Sequence, residues 1–387
     1  MTTTAPVRAW HRPMRARRPD EEHRAATPLE LFFDLCFVVA VAQAAAGLHH
    51  DVAAGHLGHA LVSYLTVFFA IWWAWMNFTW FASAYDTDDD IFRLTTLVQI
   101  TGALILAAGV PRAFTDADFT TITYGYVVMR LAAVVNWLRA AAGDPERRAT
   151  AVTFAAGVTV VQLGWLLRLL LPDEGGLAVF LVLALADLLV PVVAERRGRT
   201  TWHPHHIAER FQLFTLIVLG EVVLSTSLAI QSGVDAGNPE LWSLAAAGIV
   251  IVFALWWLYF DRPSPLPPES LRGALSWGYG HYLIFAAVAA VGAGLAVAVD
   301  HELHAAHVSG RLVGYATAVP VAVYLLALWA LHLRGKRGVD LVLFPGAALL
   351  VLVAPWLAAP VDVVAGVLLV LVTVTLVRRH RTPTRTA

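Results

Sequence analysis

The sequence predicts an all-α, polytopic helical membrane protein with about twelve transmembrane helices, and three observations carry that prediction. Of 387 residues, 58% are hydrophobic and only 14% charged, whereas a soluble domain keeps about 25% charged residues on its surface. The apolar residues gather into runs of about 20, the length of one helical crossing. The runs are continuous, unlike the alternating stretches of about ten residues that mark membrane β-strands. A mean hydropathy of +0.66 leaves no room for a large soluble catalytic domain. The formal net charge of -1 gives nucleic-acid binding no support. Cys36 is the single cysteine; it excludes an intrachain disulfide and a Cys-rich metal site, and reads as a small buried hydrophobe. No cofactor motif is present.

In chain order the spans are Leu29–Leu48, His59–Tyr85, Ile91–Val110, Phe119–Ala141, Thr150–Leu171, Leu177–Ala194, Ile207–Ile230, Leu241–Phe260, Gly273–Val299, Gly310–Leu333, Val339–Ala354 and Val361–Val377. Pro, Gly, Asp and Arg bound them, since these residues stop helices or resist burial in lipid. The last two are interrupted by Pro345, Pro355 and Pro360, so one of them is expected to be broken or re-entrant.

Basic residues test this map, because Lys and Arg accumulate in cytoplasmic loops. The tail 1–28 holds Arg8, Arg12, Arg15, Arg17, Arg18 and Arg24, and every second segment after it is also basic: Arg93; Arg139, Arg147 and Arg148; Arg196, Arg197 and Arg199; Arg262 and Arg272; Arg334, Lys336 and Arg337; Arg378, Arg379, Arg381 and Arg385. The intervening segments hold only Arg112 and Arg311. Both termini are therefore expected in the cytoplasm, and the span count is expected to be even. The basic start followed by an apolar run also resembles a signal peptide, but Glu30 and Asp34 inside the run favour an uncleaved first helix. The single lysine, Lys336, and the abundance of Ala and Val suit a high-GC bacterial genome. The expected location is thus a bacterial plasma membrane, with the lipid bilayer as the first partner.

The two halves of the chain repeat features in the same order. Leu29-Glu30-Leu31-Phe32 aligns with Ala208-Glu209-Arg210-Phe211, and Phe69-Ala70-Ile71-Trp72-Trp73-Ala74-Trp75 with Phe253-Ala254-Leu255-Trp256-Trp257-Leu258-Tyr259. A six-plus-six repeat follows. Six is even, so both halves would point the same way, related by an axis along the membrane normal. The expected organisation is an Arg-rich tail (1–28), a first membrane half (29–194), a cytoplasmic linker (195–206), a second half (207–377) and a basic tail (378–387). Chance likeness among apolar helices with interfacial tryptophans is the competing explanation.

Two longer motifs are more specific. Thr27-Pro28-Leu29-Glu30-Leu31-Phe32-Phe33-Asp34-Leu35-Cys36-Phe37-Val38 resembles the ELFFDLVFV-type signature that opens the bacterial low temperature requirement A family. Glu209-Arg210-Phe211-Gln212-Leu213-Phe214-Thr215-Leu216-Ile217-Val218-Leu219-Gly220-Glu221 resembles that family's ERFGLFTIIVLGE motif. Trp277-Gly278-Tyr279-Gly280-His281 fits as well, while Gln212 and Cys36 depart from the pattern. The resemblance covers nearly the whole chain from about Thr27. It implies a polytopic membrane protein linked by name to growth in the cold, with no substrate or reaction to carry over.

An ionised side chain in mid-helix costs about 2.5–3.5 kcal/mol on insertion scales, so each one needs a compensating reason. Glu30 and Asp34, four apart, share a helix face. An acidic pair favoured by the helix dipole is the alternative for Glu30, whereas Asp34 sits among Phe32, Phe33, Leu35 and Phe37. Glu221 lies 12 residues beyond Glu209, about 18 Å along a helix, and Gly220 beside it would permit close approach of a helix or ligand. Arg130 is the candidate cation for Asp34 or Glu221, and a purely structural ion pair is the alternative to a functional one. Asp187 and His281 extend the set, and Gln43, Asn77, Gln99 and Asn136 line the same interior or bond neighbouring helices.

Other polar groups read as ordinary surface. His49, His50, His56, His59, His301, His304 and His307 could sense pH or gather a metal, but unassigned surface histidines are the favoured reading. The run Asp86, Asp88, Asp89 and Asp90 could bind a cation or pair with Arg93, with a solvated loop favoured. The tryptophans read mainly as interfacial belts, and Ala289–Gly294 as a close packing face.

A secondary transporter of an unidentified small solute, with protons as a candidate coupling ion, is the leading functional expectation. Its candidate pathway is Glu30, Asp34, Arg130, Asp187, Glu209, Glu221 and His281. The absence of a nucleotide-binding loop motif turns the reading toward secondary transport. An intramembrane enzyme acting on a lipid, using the same carboxylates as acid and base, and a structural or stress-related component are the alternatives.

Overall fold

The computed structural model of the chain describes residues 9–18, 21, 24–261, 266–268, 270–333 and 340–381. These residues fold into twelve α-helices: α1 Pro28–Ala53, α2 Leu57–Tyr85, α3 Asp90–Thr115, α4 Thr120–Gly143, α5 Arg148–Arg168, α6 Gly176–Glu195, α7 Pro204–Ala236, α8 Pro239–Phe260, α9 Leu271–Glu302, α10 Gly310–Leu328, α11 Asp340–Val353 and α12 Pro360–Arg381. No strand occurs among the described residues. Ten helices are long and apolar enough to cross a membrane.

The two that fall short do so for different reasons. Helix α4 carries Arg130, Asn136 and Arg139, which dilute its hydropathy. Helix α11 has 14 residues, about 21 Å at 1.5 Å per residue, against a hydrocarbon core of about 30 Å. Pro345 lies inside it, and a short 3-10 turn, Ala354–Trp356, ends the segment before Pro360 opens α12. The prolines therefore shorten one of the last two spans and leave α12 whole.

The chain divides into two compact units. Unit 1 takes the described residues of Met1–Ala40, Thr66–Phe211 and Pro267–Gly273. Helix α3 packs closely on α4, where a Cβ on Gly102 would stand 2.6 Å from the carbonyl oxygen of Gly125. Only glycine permits that approach. Helices α5 and α6 pack through Val161, Trp165, Phe180 and Ala184, and Trp137 of α4 stacks on Phe154 of α5 with centroids 4.1 Å apart.

The arginine-rich segment ahead of α1 is part of unit 1. Met14 is 1% exposed, and a Cβ on Gly143 would meet its carbonyl at 2.5 Å. The Arg17 amide donates to the Ala84 carbonyl (2.9 Å) and the Arg12 amide to Asp89 Oδ2 (2.8 Å). Asp89 is also the N-cap of α3, accepting from the Phe92 amide at 2.8 Å, and it pairs with Arg139 at 2.5 Å. Burial works against the ionised form, but these donors hold Asp89 below the usual carboxylate range. Asp86 is buried too. The solvated-loop reading of this acidic run is thus corrected for Asp86 and Asp89, and it holds for the exposed Asp88, which pairs with Arg93.

Unit 2 takes the described residues of Val41–Leu65, Gln212–Leu266 and Ala274–Ala387. The 32-residue α9 is its centre. All of Ala289, Ala290, Val291, Gly292, Ala293 and Gly294 are buried, so the expected small-residue packing face is present. Neutral hydrogen bonds tie its helices: Tyr324 Oη to the Leu255 carbonyl (2.7 Å) and Tyr64 Oη to the Ala286 carbonyl (2.6 Å). At one end His49 Nε2 stands 2.7 Å from Asp300 Oδ2, giving that histidine a partner.

Candidate functional site

Helix α1 begins with a capping box. The Thr27 hydroxyl accepts from the Glu30 amide (3.3 Å), and the Glu30 carboxylate accepts from the Thr27 amide (2.7 Å), with Pro28 in the first helical position. The spacing T-x-x-E announces this motif, and it realises the helix-start role considered for Glu30. The same carboxylate does more. Its Oε1 stands 3.1 Å from Arg210 Nη1, 3.2 Å from His206 Nε2 and 3.6 Å from Arg24 Nη2.

One turn further, Asp34 meets the other edges of the same arginine. Arg210 Nε donates to Oδ2 at 2.9 Å and Nη2 to Oδ1 at 2.5 Å, while the Trp75 indole N–H also donates to Oδ1 at 2.7 Å. Two carboxylates four apart on α1 thus face His206 and Arg210, four apart on α7. Glu30, Asp34, His206 and Arg210 are all buried. The aromatic neighbours complete the enclosure: the Arg210 guanidinium lies 5.7 Å from the Phe78 ring centroid, and Phe78 stacks on Phe33 at 3.8 Å.

At the edge of this network Arg24 Nη2 donates to the Ala82 carbonyl (2.9 Å) and stands 3.9 Å from Asp86 Oδ2. Burial lowers the Arg24 pKa, with Glu30 and Asp86 opposing the shift. Burial and the charge of Glu30 push the Asp86 carboxyl up to about 6.

A second buried pair lies elsewhere in unit 1. Arg130 Nη2 is 3.8 Å from Asp187 Oδ1 and donates to Tyr126 Oη at 2.5 Å, and the Trp165 indole donates to Asp187 Oδ2 at 2.8 Å. The expected pairing of Arg130 with Asp34 is corrected: Asp34 belongs to Arg210, and Arg130 to Asp187. Asn77, Gln99 and Asn136 do line one interior with Arg130, a cavity of about 20 Å³ that Phe78 also lines. That is room for about one water molecule. Asn136 Oδ1 accepts from the Thr95 hydroxyl at 3.0 Å, while its buried Nδ2 has no partner among the described residues.

Glu209 is only partly covered. In unit 2, Glu221 is half-buried without an ion-pair or hydrogen-bond partner among the described residues. Gly220 faces open space, and the close approach occurs instead at Gly292, where a Cβ would stand 3.0 Å from Glu221. His281 is buried, with Nδ1 2.8 Å from the Trp277 carbonyl and its ring 5.6 Å from that of His332.

Sequence reasoning missed Arg210, His206, Arg24 and Trp75 as members of the site. The signal for the first two was the spacing: a basic pair at i, i+4 matches the acidic pair at i, i+4. Arg210 and its partner carboxylates fall in the two stretches with the most specific motifs.

The model of the bacterial low temperature requirement A protein (LtrA) family matches residues 25–378, taking in both charged helices and everything between them. The chain belongs to this family. Among curated proteins it is similar to "Uncharacterized protein RA0937" of Rhizobium meliloti (strain 1021), at 26% identity over 307 residues, which covers 74% of this chain and 73% of the relative. The LtrA match and the ten long apolar helices together make it a multi-pass membrane protein.

Proposed function

We propose that this LtrA protein is a secondary transporter of a small solute, coupled to protons, in the bacterial plasma membrane. In this reading both termini are cytoplasmic and all twelve helices enter the bilayer as two six-helix repeats, with the exposed apolar side chains of α4 (Leu131, Leu138) and α11 (Val342, Leu349) facing lipid. The observation that carries the proposal is the enclosed network of Glu30, Asp34, His206 and Arg210. Membrane-embedded charges are costly and gather on ion and substrate pathways. A guanidinium bridging two carboxylates is a contact that a proton or a charged solute can open by taking over one partner.

A structural lock is the competing reading, favoured by the completeness of Asp34's pairing with three donors. Reconstitution separates the two. In proteoliposomes under an imposed pH gradient, the intact chain moves protons together with one member of a solute panel. Asp34→Asn and Glu221→Gln, recovered folded in normal yield, lose that flux. Full flux in both variants overturns the assignment of these carboxylates, and no flux with any solute overturns transport.

A further inference from the structure

The charges around Glu30 do not balance. Glu30, Asp34 and Asp86 supply three carboxylates, Arg24 and Arg210 two guanidiniums, and all five side chains are buried. An uncompensated charge in such surroundings is costly, and the group least supplied with donors is the one that neutralises. The donors are unequally shared. Asp34 receives Arg210 twice and Trp75; Glu30 receives the Thr27 amide, Arg210 and His206. Asp86 receives one amide, from Asp88 at 2.8 Å, and the one cation paired with it among the described residues, Arg24, stands 3.9 Å away.

His206 is the alternative proton carrier, and its geometry argues against it. Nε2 faces the Glu30 carboxylate and is the donor, while Nδ1 is buried with no partner among the described residues. A second ring proton would be an unsatisfied buried donor. The neighbouring His203 has both ring nitrogens engaged, Nδ1 accepting from the His206 amide (3.2 Å) and Nε2 2.9 Å from the Glu21 carbonyl.

We propose that Asp86 is a proton-binding site, taking up the one proton that makes the buried cluster of Arg24, Glu30, Asp34, Asp86 and Arg210 electrically neutral. The charged groups facing it are Arg24 and Arg17 from the segment before α1, the latter engaged with Glu21 at 2.5 Å, and Glu30 from α1. Burial and Glu30 favour the protonated form, with the bound Asp88 amide and the two arginines opposing. Protonation removes the attraction between Asp86 and Arg24, which then rests on Glu30 and the Ala82 carbonyl alone. This deepens the transport reading by naming the residue that carries the coupling proton, and its role in coupling rests on that reading.

Infrared difference spectroscopy on the purified full-length chain in nanodiscs tests the assignment without any transported solute. On acidification from about pH 7.5 to about pH 5, a protonated-carboxyl stretching band grows in the wild type. Asp86→Asn loses a component of it that His206→Gln and Glu221→Gln keep. If Asp86→Asn does not fold, Asp86→Glu moves the band frequency. Survival of the band unchanged in the Asp86 variants overturns the proposal, and so does its appearance in none of the proteins. Disappearance of the protonated band on adding sodium at fixed low pH would make the site one for a metal cation instead. A band that depends on Asp86 together with failed proteoliposome flux leaves the proton site standing and removes only its role in transport.

Discussion

Unit 1 and unit 2 are both built from long apolar helices, yet they hold their interiors together with different chemistry. Unit 1 buries ion pairs, Arg210 with Glu30 and Asp34, Arg130 with Asp187, and Arg139 with Asp89. Unit 2 ties its helices with tyrosine hydroxyls on carbonyls and with the small-residue face of α9. Its one carboxylate deep in a span, Glu221, has no ionic partner among the described residues. The aligned Trp-rich motifs therefore do not carry the same site. Under the alignment of Glu30 with Glu209, the position of Asp34 is taken by Leu213. Likeness of sequence and likeness of chemistry are separate properties, and the aligned motifs share only the first.

The sharpest way to break this contrast is to remove the cation of unit 1. Arg210→Met leaves two buried carboxylates without their shared partner and is expected to cost about 3–5 kcal/mol. Glu221→Gln, which removes an unpaired charge from unit 2, is expected to stay within about 1 kcal/mol. Thermal unfolding of the two variants in one detergent checks both, and equal losses would erase the distinction.

The next effect is one of pH. The Asp86 carboxyl is raised to about 6 in the folded chain, above its unfolded value of about 3.9. Its stabilising contribution is therefore complete below about pH 4 and is lost as pH rises through about 6. Asp86→Asn has no such proton to lose. The stability difference between wild type and Asp86→Asn should swing by roughly 3 kcal/mol across that window, measured by unfolding at a series of pH values. A constant difference would place Asp86 in water.

The smallest expected effect compares two helical glycines. In unit 1 a Cβ on Gly125 would collide with the Leu106 backbone and stand 2.6 Å from the Gly102 carbonyl oxygen, so Gly125→Ala is expected to destabilise by about 1–3 kcal/mol. Gly220 in unit 2 has nothing within 4 Å, so Gly220→Ala should stabilise by about 0.5–1 kcal/mol through helix propensity. Opposite signs in the melting shifts are the test.

The helical membrane class was legible because hydropathy is a local property, and the prolines marked the last two spans as the irregular ones without telling which of them is short. Glu30 and Asp34 were legible as a pair because four residues is one helical turn. Their partner was not, since a contact across 176 residues leaves no trace in spacing along one chain. Arg210 entered only as one letter of two aligned motifs. Asp86 and Asp89 looked solvated for a related reason. Their loop is polar, and what covers it is an arginine-rich segment that itself reads as a free tail. Charge counting treats an arginine such as Arg24 as a topological marker, while here its guanidinium is buried against Glu30 and the Ala82 carbonyl.

The 176 residues between Asp34 and Arg210 also set a schedule for synthesis. A ribosome adding about 5–20 residues per second needs roughly 9–35 s to cover them. For that interval α1 has no Arg210 to pair with Glu30 and Asp34, and an unpaired charge is costly to place in lipid. The docking partners of the segment ahead of α1, Ala84, Asp89, Gly143 and His203, also emerge after it. That segment is therefore among the later parts of unit 1 to settle, and a nascent chain halted before Arg210 should hold α1 loosely enough for quality-control proteases to reach.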